Sequence, residues 1–249
     1  MRRAILIGND RWGGNRLPGV PRDMEAMQSF LLSPAGGAWR SDSIIRINTP
    51  FSKNALIQNL NQDLRYGVEY FFIYFSGHGE LSRQGAPKFV LPGGDEIELN
   101  EIKAVLATKP VLMIADSCQG VPEYGAGGIL TESRRMFSTG TTYEVLEARR
   151  MFDSALRRLP PMFTFASAVS PGEYANDSDL GGLYTYNLLQ SCRQTLKTEP
   201  GPQVIGICYP HMLAARAVEA ATANNQDGPQ LPSITGYNRT FQPPFLVKL

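Results

Sequence analysis

Two uninterrupted apolar runs, residues 70–75 (YFFIYF) and 111–115 (VLMIA), constrain the fold most. A strand with one face in water alternates apolar and polar residues, whereas a strand covered on both faces is apolar throughout. Neither run alternates, so both predict buried strands. Three shorter runs have the same character and also predict strands: 4–7, 44–47 and 163–166.

Segments with helical spacing separate these runs. They are residues 23–32, 56–64, 99–106, 183–195 and 212–223. Strands that alternate with helices indicate βαβ units and a mostly parallel sheet flanked by helices. A chain of 249 residues is long enough for one large domain or two small ones. We therefore expect an α/β fold.

Charge and cysteine content narrow the class of protein. The chain carries 24 basic and 23 acidic side chains, so it has no strong electrostatic footprint for nucleic acid or for a membrane surface. The first apolar run is too short for a signal peptide, and no later run is long enough to span a bilayer. The three cysteines form no CxxC pair. We expect a cytoplasmic protein with at least one free thiol and with no nucleic-acid or membrane partner.

Residues with catalytic chemistry follow the two strongest strands, at 76–79 (SGHG) and 116–118 (DSC). Functional groups collect beyond the carboxyl ends of parallel strands, and successive strands are often neighbours. An imidazole beside a thiol removes its proton and makes it a nucleophile. The pattern predicts Cys118 as nucleophile and His78 as general base, with the backbone N–H groups of Gly79 and Cys118 holding an oxyanion.

These motifs resemble those of the caspase and metacaspase superfamily, and the Asp-Ser-Cys form is closest to metacaspases and compact bacterial caspase homologues. Five further stretches are similar to that superfamily: 4–9 with 17–23, and 166–167 with 172–175 and 181–186. The resemblance implies a caspase-like three-layer sandwich with a six-stranded, mostly parallel sheet. It also implies a cysteine endopeptidase with a Cys–His dyad, in regulated proteolysis, cell death or defence.

The same resemblance implies a single caspase-like peptidase domain over residues 1–249 and divides it into three portions. It implies a large-subunit-like portion over about 1–130, an Arg-rich linker over about 131–158 and a small-subunit-like portion over about 159–249. Three Arg-Arg pairs occur in or near the linker, and an enzyme that cuts after arginine would find targets there. We name Arg135, Arg150 and Arg158 as candidate self-cleavage sites. A solvated basic loop that is never cut is the alternative.

The resemblance also assigns substrate-binding roles to Asp23, Ser76 and Asp116, which would line the pocket for the residue before the cut bond (P1). Two carboxylates in one pocket favour a guanidinium or ammonium group over a carboxylate. The pattern predicts cleavage after Arg, with Lys second. As alternatives, Asp23 interacts only with a helix dipole and Asp116 only caps a turn.

We predict no cofactor and no metal. Many metacaspases need calcium, but the acidic residues between the catalytic motifs are more typical of a solvated face, and calcium dependence stays open. Those residues are Asp95, Glu96, Glu98 and Glu101. Expected partners are protein or peptide substrates and a dedicated target or activator. Two other functions stay open: a catalytically silent caspase-fold binding or regulatory module, and a non-proteolytic thiol hydrolase on a similar sheet.

Overall fold

A computed structural model describes residues 1–119, 137–225 and 228–249. The strands of these residues are Arg2–Asn9 (β1), Arg11–Trp12 (β2), Asn15–Arg16 (β3), Ile44–Ile47 (β4), Tyr70–Gly77 (β5), Gly79–Leu81 (β6), Pro87–Val90 (β7), Glu96–Glu98 (β8), Pro110–Asp116 (β9), Met162–Ser167 (β10), Gln203–Gly206 (β11), Ser233–Thr235 (β12) and Pro244–Lys248 (β13). The α-helices are Val20–Leu32 (α1), Lys53–Arg65 (α2), Leu99–Val105 (α3), Thr142–Leu156 (α4), Leu183–Thr198 (α5) and Cys208–Thr222 (α6).

A six-stranded sheet organises the domain, with the strand order β12-β10-β9-β5-β1-β4. All of its pairs are parallel except β10 with the edge strand β12. The central neighbours β5 and β9 pair from Phe71 with Val111 to Ser76 with Asp116. This register brings the carboxyl ends of the two strands to the same edge of the sheet.

Two hydrophobic cores explain why the strands are apolar without alternation. Along β5, Tyr70, Phe72 and Tyr74 pack into one core with α1, α4, α5 and α6. The intervening Phe71, Ile73 and Phe75 pack into the other core with α2 and α3. Since each of residues 70–75 faces one of two apolar layers, burial and not amphipathic patterning selects these residues.

The α/β fold class and the mostly parallel six-stranded sheet are confirmed. Each predicted strand and helix has a counterpart in the structure, with bounds that differ by a few residues. Helix α4 lies in the segment interpreted from sequence as a basic loop with some helix. Its start is fixed by a capping box, in which the Thr141 side chain accepts from the Glu144 backbone and the Glu144 side chain accepts from the Thr141 backbone.

Within the described residues, three smaller sheets lie outside the six-stranded sheet: β2 with β3, β6 with β7 and β8, and β11 with β13. The second of these leads directly away from His78, because β6 begins at Gly79. In the part of the chain that the structure describes, no helix has the length and apolar character needed to cross a membrane.

Packing of α4 against the sheet depends on Phe152, which is buried against Trp39 and Tyr70 at ring-centroid distances of 6.0 and 6.5 Å. We expect Phe152→Ala to lower the free energy of unfolding by about 3–5 kcal/mol, since it removes a buried aromatic ring and leaves a cavity. Tyr143→Ala, on an exposed face of the same helix, serves as the control and should change it by less than about 0.5 kcal/mol. Urea denaturation measures both; equal effects would mean that α4 is not docked as described.

Candidate active site

The register of β5 and β9 places the predicted catalytic residues side by side. Ser76 pairs with Asp116, and His78 and Cys118 each follow two residues later. The backbone at Gly79 approaches Cys118 closely, since a Cβ atom added at Gly79 would lie 2.9 Å from the Cys118 carbonyl oxygen. The two strand ends therefore form one continuous rim that carries an imidazole and a thiol.

Gly77 makes the turn before His78 possible. Its φ of 153° is rare for residues with a side chain, and an added Cβ would lie 2.6 Å from the Asn9 carbonyl oxygen. Both conditions require glycine at this position. This turn ends β5 and comes directly before His78.

His78 is half-buried, with its ring centroid 6.0 Å from that of Trp12. Burial lowers the pKa of the imidazole, while a hydrogen bond to the Asn15 backbone and the charge of Asp10 act in the opposite direction. Its Nε2 atom is buried and has no hydrogen-bond partner among the described residues. A neutral imidazole with one unused ring nitrogen is suited to accept a proton.

Cys118 is also half-buried, and its sulfur accepts a hydrogen bond from the Ala175 backbone N–H at 3.4 Å. Burial raises the pKa of the thiol, and the nearby carboxylates of Asp116 and Asp177 raise it further. The Ala175 hydrogen bond acts in the opposite direction. In this arrangement the protonated thiol is favoured, so a base is needed to generate the nucleophile.

Asp23 and Asp116 both approach the amino terminus of α5. The Asp23 carboxylate accepts hydrogen bonds from Ser76 Oγ at 2.9 Å and from Gly182 N–H at 3.1 Å. Asp116 Oδ2 accepts from the Thr185 N–H at 2.8 Å and from Thr185 Oγ1 at 2.6 Å. Both carboxylates thus interact with the positive end of this helix.

The proximity of the two carboxylates affects the pKa of Asp116. Burial, followed by the charge of Asp23, raises the pKa of Asp116 to about 7, while the hydrogen bonds from Thr185 act in the opposite direction. Asp23 is only 1% exposed and Asp116 only 6%. Two buried carboxylates this close resist double ionisation, and a cation placed between them would relieve the repulsion.

A small cavity connects these acids with the thiol. Its volume is about 20 Å³, which is room for about one water molecule. Its lining includes Asp23, Ser76, Asp116, Cys118, Ala175 and Gly182. The structure therefore brings all three predicted substrate-binding residues to one pocket beside Cys118; their roles in binding stay predictions.

The sequence matches the caspase domain family over residues 1–240. This chain belongs to the caspase domain family. The predicted resemblance to the caspase and metacaspase superfamily is thereby confirmed. Members of the family are cysteine peptidases, whose substrates are proteins.

Solved structures agree with this assignment at the level of the fold. Caspase-1 from Spodoptera frugiperda superposes with a TM-score of 0.60 at 15% sequence identity, over 94% of this chain and 85% of that chain. Protein GSU0716 from Geobacter sulfurreducens superposes with a TM-score of 0.56 at 17% identity, over 100% of this chain and 99% of that chain. Among curated proteins, none matches this sequence.

The acidic residues between the catalytic motifs have structural partners in this caspase domain. The Asp95 carboxylate accepts from the Lys53 backbone N–H at 2.9 Å, and Glu101 forms an ion pair with Lys53 Nζ at 3.0 Å. Glu96 pairs with Lys88, and Glu98 caps α3. Within residues 1–119, 137–225 and 228–249, no cluster of three or more His, Cys, Asp or Glu side chains is arranged to hold a metal ion.

The candidate self-cleavage sites differ in their surroundings. Arg135 lies outside the described residues. Arg150 is exposed in the middle of α4 and forms an ion pair with Glu147. Arg158 is exposed in the turn that follows α4. A peptidase that binds substrate as an extended strand can reach a turn more easily than the middle of a helix.

Sequence reasoning missed the contribution of the segment before α5. Ala175 contacts the thiol through its backbone, and Gly182 lies against Asp116 so closely that a Cβ atom would be 2.3 Å from Oδ2. Neither residue carries a chemical group that a motif search detects. The signal available in the sequence was the glycine pair at 181–182 directly before a helical pattern, a position where backbone N–H groups are free to bind an anion.

The raised pKa of Asp116 has a consequence for stability. A carboxyl group with an ordinary value of 3.8 in the unfolded chain and about 7 in the folded one weakens the fold progressively as the pH rises between those values. Asp116→Asn removes the titration and keeps an oxygen for Thr185. We expect the stability of Asp116→Asn relative to wild type to increase by about 2 kcal/mol between about pH 5 and about pH 8.

Urea unfolding at the two pH values measures this difference. Asp179→Asn, which changes an exposed carboxylate before α5, is the matched control and should show no such trend. A constant difference between Asp116→Asn and wild type would contradict the raised pKa.

Proposed function

We propose that this caspase domain is a cysteine endopeptidase that cleaves protein substrates after Arg, and secondarily after Lys. The observation that carries the proposal is the buried pair of carboxylates, Asp23 and Asp116, in a pocket beside Cys118. Ser76 completes the polar lining through its hydrogen bond to Asp23. Since Cys118, Cys192 and Cys208 are free thiols, we place the activity in the cytoplasm.

Specificity follows from the charge of the pocket. A guanidinium group at P1 would supply the cation that Asp23 and Asp116 lack and would bind carboxylate oxygens through paired hydrogen bonds. An aspartate at P1 would add a further carboxylate to a pocket that already contains Asp23, Asp116 and Asp177. A lysine at P1 carries the same charge but lacks the planar guanidinium group that forms paired hydrogen bonds with a carboxylate. We therefore expect cleavage after Lys to be slower than cleavage after Arg.

Substrate binding requires the pocket to open. Its volume of about 20 Å³ is far smaller than an arginine side chain, and Ala175 holds the thiol from the side of the segment before α5. Residues 170–182 contain no helix or strand. Their displacement would break their hydrogen bonds with Gln119 and Gln230 but would leave the pairing of the main sheet intact. We propose that substrate or an activating protein displaces it.

In the proposed reaction, His78 takes the proton of the Cys118 thiol, and the sulfur attacks the scissile carbonyl carbon. The backbone N–H groups of Gly79 and Cys118 would hold the resulting oxyanion. The C–N bond then breaks as His78 gives its proton to the leaving amine, which leaves an acyl-enzyme thioester. Water, deprotonated by His78, attacks the thioester and releases the acid and the thiol.

A second candidate function is a caspase-fold binding or regulatory module without turnover. Two observations favour it: the pKa of the Cys118 thiol is raised, and its sulfur is hydrogen-bonded to the Ala175 backbone. Both fit equally well with a peptidase in its resting conformation. Turnover of peptides distinguishes the two.

Fluorogenic peptides that differ only at P1 test the proposal. We expect the value of kcat/KM to fall in the order Arg, Lys, Asp, with the Arg peptide at least about tenfold above the Asp peptide, because only a cation is stabilised between the acids. Cys118→Ala should reduce hydrolysis of the Arg peptide by about a thousandfold or more. Cys208→Ala, which changes a partly exposed thiol on α6, is the matched control and should retain it.

Two results would count against the proposal. Faster hydrolysis of the Asp peptide would refute the pocket assignment while leaving the peptidase intact. Binding of the Arg peptide without hydrolysis, together with no covalent labelling of Cys118 by an Arg-based electrophile, would favour the binding module.

We further propose that the enzyme processes itself in the Arg-rich region. Purified wild type and Cys118→Ala should be incubated side by side and examined by gel and intact mass. We expect two fragments in the wild type only, with new amino termini after Arg135 or Arg158 and not after Arg150, because Arg150 lies within α4. Fragments in both proteins would indicate a contaminating protease, and an intact wild type with active-site turnover would reject self-processing.

A further inference from the structure

A second, larger cavity opens at the opposite end of the main sheet. Its volume is about 560 Å³, and it lies where the adjacent strands β1, β5 and β9 begin and where α4 ends. The active-site rim lies at the carboxyl ends of these same parallel strands. A cavity of this size accommodates a ligand about as large as a nucleotide.

Two buried polar atoms of the cavity lining have no hydrogen-bond partner among the described residues: Arg2 Nη1 and Tyr70 Oη. Arg2 is 9% exposed and Tyr70 is 1% exposed. The rest of the Arg2 guanidinium is held in place, since Nη2 donates to the Gly37 carbonyl at 2.7 Å and Nε lies 3.4 Å from Asp153. Both atoms are enclosed by the protein, so Arg2 contributes to the cavity through its positive charge and not through this N–H group.

The cavity also carries an excess of positive charge. Lys109, Arg149 and Arg157 line it, and none of the three forms an ion pair with a described residue. The charge of Arg149 contributes to lowering the pKa of Arg2 to about 10, although burial is the largest cause. Of the two acids in the lining, Asp153 pairs with Arg2 and Glu69 lies at the exposed rim.

We propose that this cavity is a binding site for a small phosphorylated metabolite that carries at least two negative charges. Phosphate oxygens accept charge-assisted hydrogen bonds from guanidinium and ammonium groups, which Lys109, Arg149 and Arg157 supply in the lining. Behind them, the Arg2 guanidinium adds a buried positive charge that lies over the rings of Trp39 and Phe152. The apolar side chains of Leu156 and Leu159 complete the wall against which an organic moiety packs.

This site is independent of the proposed peptidase activity. It also gives Arg149 and Arg157, the first members of two of the Arg-Arg pairs, a use that does not involve cleavage. The like charges that they bring together would be neutralised by the ligand, and α4 would be tied to the sheet through it. Bound ligand therefore stabilises the folded domain by mass action.

Pyrophosphate titrated into the full chain at constant ionic strength tests the proposal. We expect saturable binding at one site by isothermal titration calorimetry and a rise in the unfolding temperature. The double variant Lys109→Gln and Arg157→Gln should bind about tenfold more weakly or worse, because it loses two charge-assisted contacts. The double variant Arg65→Gln and Arg216→Gln makes the same change of charge at exposed positions outside the cavity and should bind like wild type.

Equal binding by the two double variants, or an equal rise in unfolding temperature with sodium chloride at matched ionic strength, would overturn the proposal. Citrate binding more tightly than pyrophosphate would overturn the assignment to phosphate. If the first double variant does not fold, the single variants Lys109→Gln and Arg157→Gln decide the question, since each removes one charge and leaves the buried core unchanged. A several-fold loss of affinity in either single variant supports the site, and an unchanged affinity in both rejects it.

Discussion

The parallel pairing of β5 with β9 is the constraint on which the rest of the structure depends. Both strands are buried on two faces, so neither can slip in register without exposing aromatic or aliphatic side chains to water or burying polar ones. That fixed register sets Ser76 beside Asp116 and brings the following residues, His78 and Cys118, to one rim. The position of the candidate dyad is therefore a consequence of how β5 and β9 pack in the core. A loop of polar residues alone would not fix that position.

The amino terminus of α5 imposes the second constraint. Its N–H groups bind Asp23 and Asp116, so the structural roles considered as alternatives for these residues are present in the fold, with a helix in place of a turn. These bonds stabilise the carboxylates but do not offset the burial of two like charges, since the pKa of Asp116 remains raised. A structural role and a substrate-binding role are compatible here, because the unfavourable charge pair is what a cationic side chain would relieve.

The sequence predicted the parts of the molecule that depend on local patterns. Continuous apolar runs correctly predicted β5 and β9. The residues that follow these strands led to the prediction of His78 and Cys118 as a dyad, and the structure brings both to one rim. Helix α4 was less visible, because its buried Phe152 sits among arginines whose charges resemble those of a loop, although the capping box at Thr141 marked its start. Contacts made by backbone groups, such as that of Ala175 with the thiol, leave no residue-type signal and required the three-dimensional structure.

The site combines residues held by the strands with a segment that has no regular secondary structure. His78, Cys118, Ser76 and Asp116 follow or belong to strands whose hydrogen bonds and packing hold them in place. The hydrogen bond to the Cys118 sulfur comes from residues 170–182, a segment without regular structure. The closed pocket and the Ala175 contact both involve this segment. Under the proposed peptidase function, a change from the resting thiol to a reactive one would therefore require this segment to rearrange while the strands keep their positions.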